Sequence, residues 1–161
     1  MEMEKVKPTK EHKWLRRIVG EWTYESEAMM GPDAPAWKSS GTQSVRMLGD
    51  LWSVGEIQGE MPDGTSSVSI ISLGYDPAKE KFVGTFIASM MTYLWPYEGT
   101  LKGNVLTLDS EGPSFKGDGS MSKYQDLVEI MSDDEYTLSS QAPGEDGKWH
   151  PFMKMVFKRK K

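Results

Sequence analysis

The sequence predicts an all-β fold: an antiparallel up-and-down barrel of about eight to ten strands, preceded by one short helix. Three observations carry this expectation. Short segments of alternating character recur about every ten residues along the whole chain. The breaks between them hold glycine, proline, asparagine or aspartate, as in "MPDG", "YDPAKEK", "KGN", "SDDE" and "PGEDGK". Only one stretch, near the start, has a helical pattern. With almost no helix to make parallel crossovers, consecutive strands are expected to pair antiparallel. A meander of this length either leaves two edges open or closes on itself, and closure removes the edges that invite aggregation.

The helix is expected at "KEHKWLRRI", residues 10–18. Strands are expected near 20–30, 38–48, 51–60, 65–75, 80–90, 93–101, 104–111, 121–131, 135–142 and 148–158. Proline fixes φ at the turns, glycine and asparagine accept positive φ, and aspartate satisfies turn backbone. The clearest hairpin is "TLKGNVLTL", where Gly103 and Asn104 form a two-residue connection between alternating strands. No linker or composition break divides the chain, so residues 1–161 read as a single domain with residues 1–10 flexible.

Composition narrows the function classes. A chain of 161 residues is long enough to bury a single core without covalent help. It has no cysteine, which excludes disulfides, thiolate catalysis and thiolate metal ligation. The N-terminus mixes charges of both signs and lacks the apolar core of a secretory signal. The longest nearly apolar run, "FVGTFIASMMTYLWPY", is broken by glycine, serine, threonine and proline and is too polar for a membrane span. The expectation is a cytoplasmic protein with neither membrane nor nucleic acid as partner; the net charge of -5 agrees with the latter. The basic ending "FKRKK" reads as a solvated terminus, and homo-oligomerisation is left open.

Enzyme signatures are weak. "GPSFKGDGS" begins like a phosphate loop, but Asp118 stands where the loop lysine must be. "LWSVG" puts Leu51 in place of the first glycine of a nucleophile elbow. His12 and His150 lack the spacing of common zinc sites, and the acidic clusters at 133–135 and 145–146 lack calcium-loop spacing. No metal or cofactor is expected.

The informative constellation is aromatic and apolar. "FIASMMTYLWPYEG" concentrates Phe86, Met90, Met91, Tyr93, Leu94, Trp95 and Tyr97 around a proline. Such residues either fill a barrel and seal its rim or form one wall of an adaptable pocket. Strand alternation supplies the polar partners but leaves their direction open. In "LWSVGEIQGE" one face carries Trp52, Val54, Glu56 and Gln58, and the other carries Leu51, Ser53, Gly55, Ile57 and Gly59. Arg46 shares a face with Thr42, Ser44 and Leu48. Adjacent strands would bring it near Glu56, satisfying both charges if they were buried. The candidate ligand residues are therefore Arg46, Trp52, Glu56, Gln58, Met90, Trp95, Tyr97, Tyr124 and Gln125, with Glu56 also the candidate general acid or base.

A helix followed by Gly20-x-Trp22 at the mouth of the first strand, then a strand meander with a basic end, resembles the lipocalin and wider calycin superfamily. That resemblance implies that Trp22 closes one barrel end beneath a basic side chain, here Lys158 or Arg159, a cation–π contact of about 0.5–2 kcal/mol. The stretches "VGEWTYESE", "GEMPDG", "LGYDP", "FVGTFIASMM", "YEGTL" and "GKWHPFM" are similar to a bacterial family of unknown function, over about residues 15–157. This implies a lipocalin-like barrel with no established reaction. Histidine often stands in that family where Tyr93 stands here, so no metal or haem role carries over to that position. The expected function is binding of a small apolar or amphipathic molecule in the barrel. The alternatives are a small enzyme using Glu56 with Tyr97 or Arg46, or a filled barrel that associates with another protein.

Overall fold

A computed structural model describes residues 5–29 and 34–161. Among them are a helix α1 (Lys10–Leu15), a 3-10 turn (Arg16–Ile18) and ten strands. The strands are β1 (Gly20–Ala28), β2 (Trp37–Leu48), β3 (Trp52–Glu60), β4 (Ser66–Asp76), β5 (Lys81–Ala88), β6 (Trp95–Lys102), β7 (Val105–Pro113), β8 (Met121–Ser132), β9 (Glu135–Pro143) and β10 (Trp149–Arg159). Each strand pairs antiparallel with the next, and β1 pairs with β10 to close the barrel. Residues 1–4 of the expected flexible segment, and the expected end of β1 at residue 30, lie outside the described residues.

Short connections set this topology. Gly103 takes φ +60° at the first position of the β6–β7 turn, leaving Lys102 opposite Val105. Aspartates close other turns by accepting from backbone N–H groups two residues on: Asp76 from Ala78, Asp118 from Ser120 and Asp146 from Lys148.

The helix stops one end of the barrel. Thr9 caps α1 in a reciprocal capping box in which the third helical residue is His12 rather than the more usual glutamate. The His12 Nδ1 lies 2.9 Å from the Thr9 N–H, which donates to it. The far nitrogen of His12, Nε2, lies 2.9 Å from the Tyr75 carbonyl oxygen. A ring that accepts at Nδ1 can donate at Nε2, so His12 ties the helix start to β4. It is a buried structural residue. Leu15 and Ile18 are buried below it, and Trp14 packs edge-on against Phe82 at the start of β5.

Alternation then divides the wall. Trp22, Tyr24, Val45, Ile57, Ile71, Leu73, Leu106, Leu108, Val128, Ile130, Tyr136, Leu138 and Phe157 point inward and form one buried cluster. The inner half next to the helix is filled: a residual hole of about 20 Å³ lies among Gln43, Ser53, Tyr136 and apolar neighbours, room for about one water.

Candidate ligand-binding site

The two ends of the barrel differ. At the helix end Trp22 is 1% exposed, its indole N–H donates to the Ile18 carbonyl at 2.9 Å, and its ring meets Tyr136 edge-on at 4.8 Å. The Arg159 guanidinium carbon stands 4.2 Å from the Trp22 ring centroid. Arg159 also donates to the Val19, Arg17 and Asp133 carbonyls at 2.7, 3.1 and 2.9 Å, stitching the last strand to the segment entering the first. Gly20 takes φ +138°, and a Cβ there would run into that guanidinium. Lys158 is exposed, opposite Thr23 on the outer face.

Toward the other end the inward residues become small and polar. Ser26, Ser39, Ser67 and Ser69, with Gly41 and Gly59, line the inner face of β1 to β4 and are only half-buried. Solvent therefore reaches the interior from this end. The facing wall, from β6, β8 and β10, is aromatic. Trp95 packs edge-on against Tyr93 at 4.9 Å and Tyr124 at 5.2 Å, and Phe115 bridges Tyr124 and Phe152. The Tyr124 hydroxyl donates to the Pro113 carbonyl at 2.6 Å, which fixes the ring against the β7–β8 connection. Phe115 itself is 74% exposed at the rim. On the serine side, a depression of about 1130 Å³ runs over the rim; its walls mix outward Glu25, Lys38, Gln58 and Glu60 with inward Ser26, Trp37 and Ser39.

A polar cluster lies inward of the aromatic wall. The Tyr97 hydroxyl on β6 donates to Asp126 Oδ2 on β8, and the Ser140 hydroxyl on β9 donates to Asp126 Oδ1 at 2.6 Å. Burial pushes the Asp126 carboxyl above its ordinary value, against the two hydroxyl bonds that favour the anion. Burial, and then the Asp126 charge, hold the Tyr97 phenol well above its ordinary value. A second cluster, nearer the helix, pairs the buried Tyr136 hydroxyl with Gln43 Oε1.

The raised Asp126 pKa fixes the sign of a pH effect. Native Asp126 holds its proton more tightly than the unfolded chain does, so its contribution to stability falls as pH rises from about 4, the unfolded aspartate value, through the raised native value. Asp126→Asn removes that titration. Melting curves of the two proteins are expected to show the variant gaining on the wild type as pH rises across this window. A flat difference would mean that the two hydroxyl bonds offset desolvation, and one that moves the other way that they outweigh it.

The structure brings Trp95, Tyr97 and Tyr124 together on the inside and separates them from the other candidates. Arg46, Glu56 and Gln58 are exposed on the outer wall, so the expected lumen glutamate is corrected: the lumen carboxylate is Asp126. Among the described residues Arg46 and Glu56 form no ion pair; Arg46 lies opposite Val54, and Glu56 lies between Ser44 and Ile70. Trp52 is 38% exposed and lies outside against Gly74. Gln125 belongs to an outer ladder, donating to Asp109 at 2.9 Å and accepting from Gln141 at 2.8 Å. Met90 is exposed in the β5–β6 connection at the rim.

The reason is packing. The glycine-rich face of β3 turns inward because large side chains from β1 and β2 need the space: Tyr24 lies over Gly59, and Gln43 lies over Gly55. Asp126 carried a signal in the sequence, since it stands two residues from Tyr124 and two from Val128 and so shares their face. A carboxylate on an otherwise apolar stripe marks an interior polar group.

Among the described residues no group of three or more His, Asp or Glu side chains is placed to hold a metal ion, and His150 instead pairs with Asp146 at 2.8 Å in the β9–β10 connection. No helix of the described residues is long and apolar enough to cross a membrane.

The model of a family described as "Protein of unknown function (DUF1579)" matches residues 7–159. The chain belongs to the DUF1579 family. No curated protein matches this DUF1579 chain at a significant level. Its barrel is similar to the crystal structure of Rv2717c from M. tuberculosis, with TM-score 0.63 and 14% identity over 92% of this chain and 96% of that one. It is also similar to the S-type phycobiliprotein lyase CPES from Guillardia theta, with TM-score 0.56 and 11% identity over 92% of each chain. A third likeness is to EF1p2_mFAP2b bound to DFHBI, with TM-score 0.51 and 13% identity over 93% of this chain and 99% of that one. At these identities the likeness is one of fold, and the neighbours of the DUF1579 chain are barrels like itself.

Proposed function

We propose that this DUF1579 barrel binds a small amphipathic molecule in the half of its interior away from the helix. One observation carries the reading: inward residues there are half-buried serines and glycines facing an aromatic wall, whereas inward residues beside the helix are closely packed. Apolar surface of the ligand would lie on Trp95, Tyr124 and Phe152, and its polar end would meet polar groups of the interior. A neighbour of like fold is solved with DFHBI bound, which supports a barrel of this shape taking a small molecule.

Calorimetric titration with decan-1-ol tests the reading. Saturable one-to-one binding with a negative heat-capacity change is expected, because apolar surface leaves water. Trp95→Ala is expected to weaken it by about tenfold or more, the loss of one large aromatic contact. Trp52→Ala, on the outer wall, is expected to leave it unchanged. Equal effects of the two substitutions would place the ligand elsewhere, and absence of saturable binding would remove the proposal.

A further inference from the structure

Asp126 is a carboxylate on the inner wall. Among the described residues it has no ion-pair partner within 4 Å. Among the described residues, inward positions of the ten strands hold no lysine below the rim, and Arg159 sits at the opposite end over Trp22. His150 lies across from Ala142 at the rim, but its ring is exposed and bonded to Asp146. The hydroxyls that bond Asp126, those of Tyr97 and Ser140, are neutral, and on the neighbouring strand β7 Ser110 stands opposite Tyr124, one inward position away.

Ser110 supplies the second observation. It faces inward between the strands of Tyr97 and Asp126, and its Oγ is buried without a hydrogen-bond partner among the described residues. A buried hydroxyl left unpaired is costly, and so is a carboxylate held in a desolvated place without a counter-charge. The two needs are complementary. Asp126 keeps some accessible surface toward the interior, and the hydroxyl oxygens around it retain lone pairs after donating. A group with several N–H donors and a positive charge would satisfy the carboxylate and the orphaned oxygen together. The acidic balance of the chain, -5 overall, favours the approach of a cation over that of an anion.

We infer that Asp126, Tyr97, Ser140 and Ser110 form a head-group site for a protonated amine carried on an apolar chain. This rests on the binding reading above and names its ligand class. The ammonium sits against Asp126 with Ser110 accepting one of its protons, and the chain extends along Trp95 and Tyr124 toward the rim.

The test compares three probes of equal chain length: decylamine, decan-1-ol and decanoate, titrated near neutral pH. Decylamine is expected to bind about tenfold to a hundredfold more tightly than decan-1-ol, the range of a hydrogen bond to a charged group, and decanoate more weakly than either. Asp126→Asn is expected to remove the preference for decylamine over decan-1-ol. Ser110→Ala removes no hydrogen bond found among the described residues, and it is expected to weaken decylamine several-fold and more than it weakens decan-1-ol. That variant separates the site from a general attraction of amines to an acidic surface even if Asp126→Asn does not fold. Equal binding of amine and alcohol, a preference for decanoate, or an amine preference that survives both substitutions overturns the inference and leaves the binding reading intact. Failure of all three probes to saturate overturns both.

Discussion

Trp22→Ala is expected to lower the unfolding free energy by about 3–5 kcal/mol, the range for truncating a buried large aromatic, read as a fall in the urea midpoint at unchanged slope. Three interactions go together. The indole fills the space between the helix and the barrel floor, its N–H satisfies the Ile18 carbonyl, and its face carries the Arg159 guanidinium. Neighbours cannot collapse into the space cheaply, because Tyr136 is held against Phe157 in a stack of 4.5 Å and is bonded to Gln43. Trp22→Phe retains most of the volume and loses the N–H bond, so its cost is expected to be about 1–2 kcal/mol. A loss under about 1 kcal/mol for Trp22→Ala, the scale of a surface substitution, would show that the helix and not the indole closes this end.

The second large effect is a coupled pair on the inner wall. A methyl at Gly59 would overlap the Tyr24 hydroxyl, while its next neighbour, Tyr24 Cζ, is at 3.4 Å, the edge of ordinary contact. Tyr24 has little freedom to move aside, since it is buried and packs against Phe157 at 5.5 Å. Gly59→Ala is therefore expected to cost about 1–3 kcal/mol, the usual range for overpacking. Tyr24→Phe removes the one overlapping atom. In that background Gly59→Ala should cost little, so a double-mutant cycle should return most of the single-mutant loss as coupling. Gly41 is the control. A methyl there meets the Gln58 carbonyl oxygen as well as Tyr24, and backbone does not yield to a side-chain deletion. Gly41→Ala is expected to remain destabilising with Phe at 24. Rescue at both positions, or at neither, would refute the assigned packing of Tyr24 against β3.

Much of the architecture was legible in the residues. The expected strands fall within a few residues of those observed, because turn chemistry is local: aspartates that cap their own turns, and Gly103 with positive φ, act over two to four positions. The helix was legible as the segment "KEHKWLRRI", and the structure adds that Thr9 caps it. Closure of the barrel followed from the even run of strands with no helix between them.

The binding wall was harder to read. A strand's period is two, so each strand offers two faces, and a shift of one residue exchanges interior for exterior. On β6 the aromatic side chains Trp95 and Tyr97 settle the choice by their bulk. On β3 the sequence offered a side rich in polar and aromatic groups and a side rich in glycine and left their direction open, while the candidate ligand residues of this strand all came from the fuller side, as if it faced the interior. The opposite holds, because Tyr24 and Gln43 reach across from neighbouring strands into the room that Gly59 and Gly55 leave. Glycine on an inner face is space for someone else's side chain, a fact about two strands that neither strand states alone. The same limit hid the Asp126 cluster, whose members Tyr97, Ser110, Asp126 and Ser140 lie on four consecutive strands. Local chemistry was enough to determine the strands and their turns, and the resemblance of Gly20-x-Trp22 to the lipocalins pointed to the stopper at Trp22. Which face of each strand became the interior, and which carboxylate was enclosed there, was decided only when cross-strand packing closed the barrel.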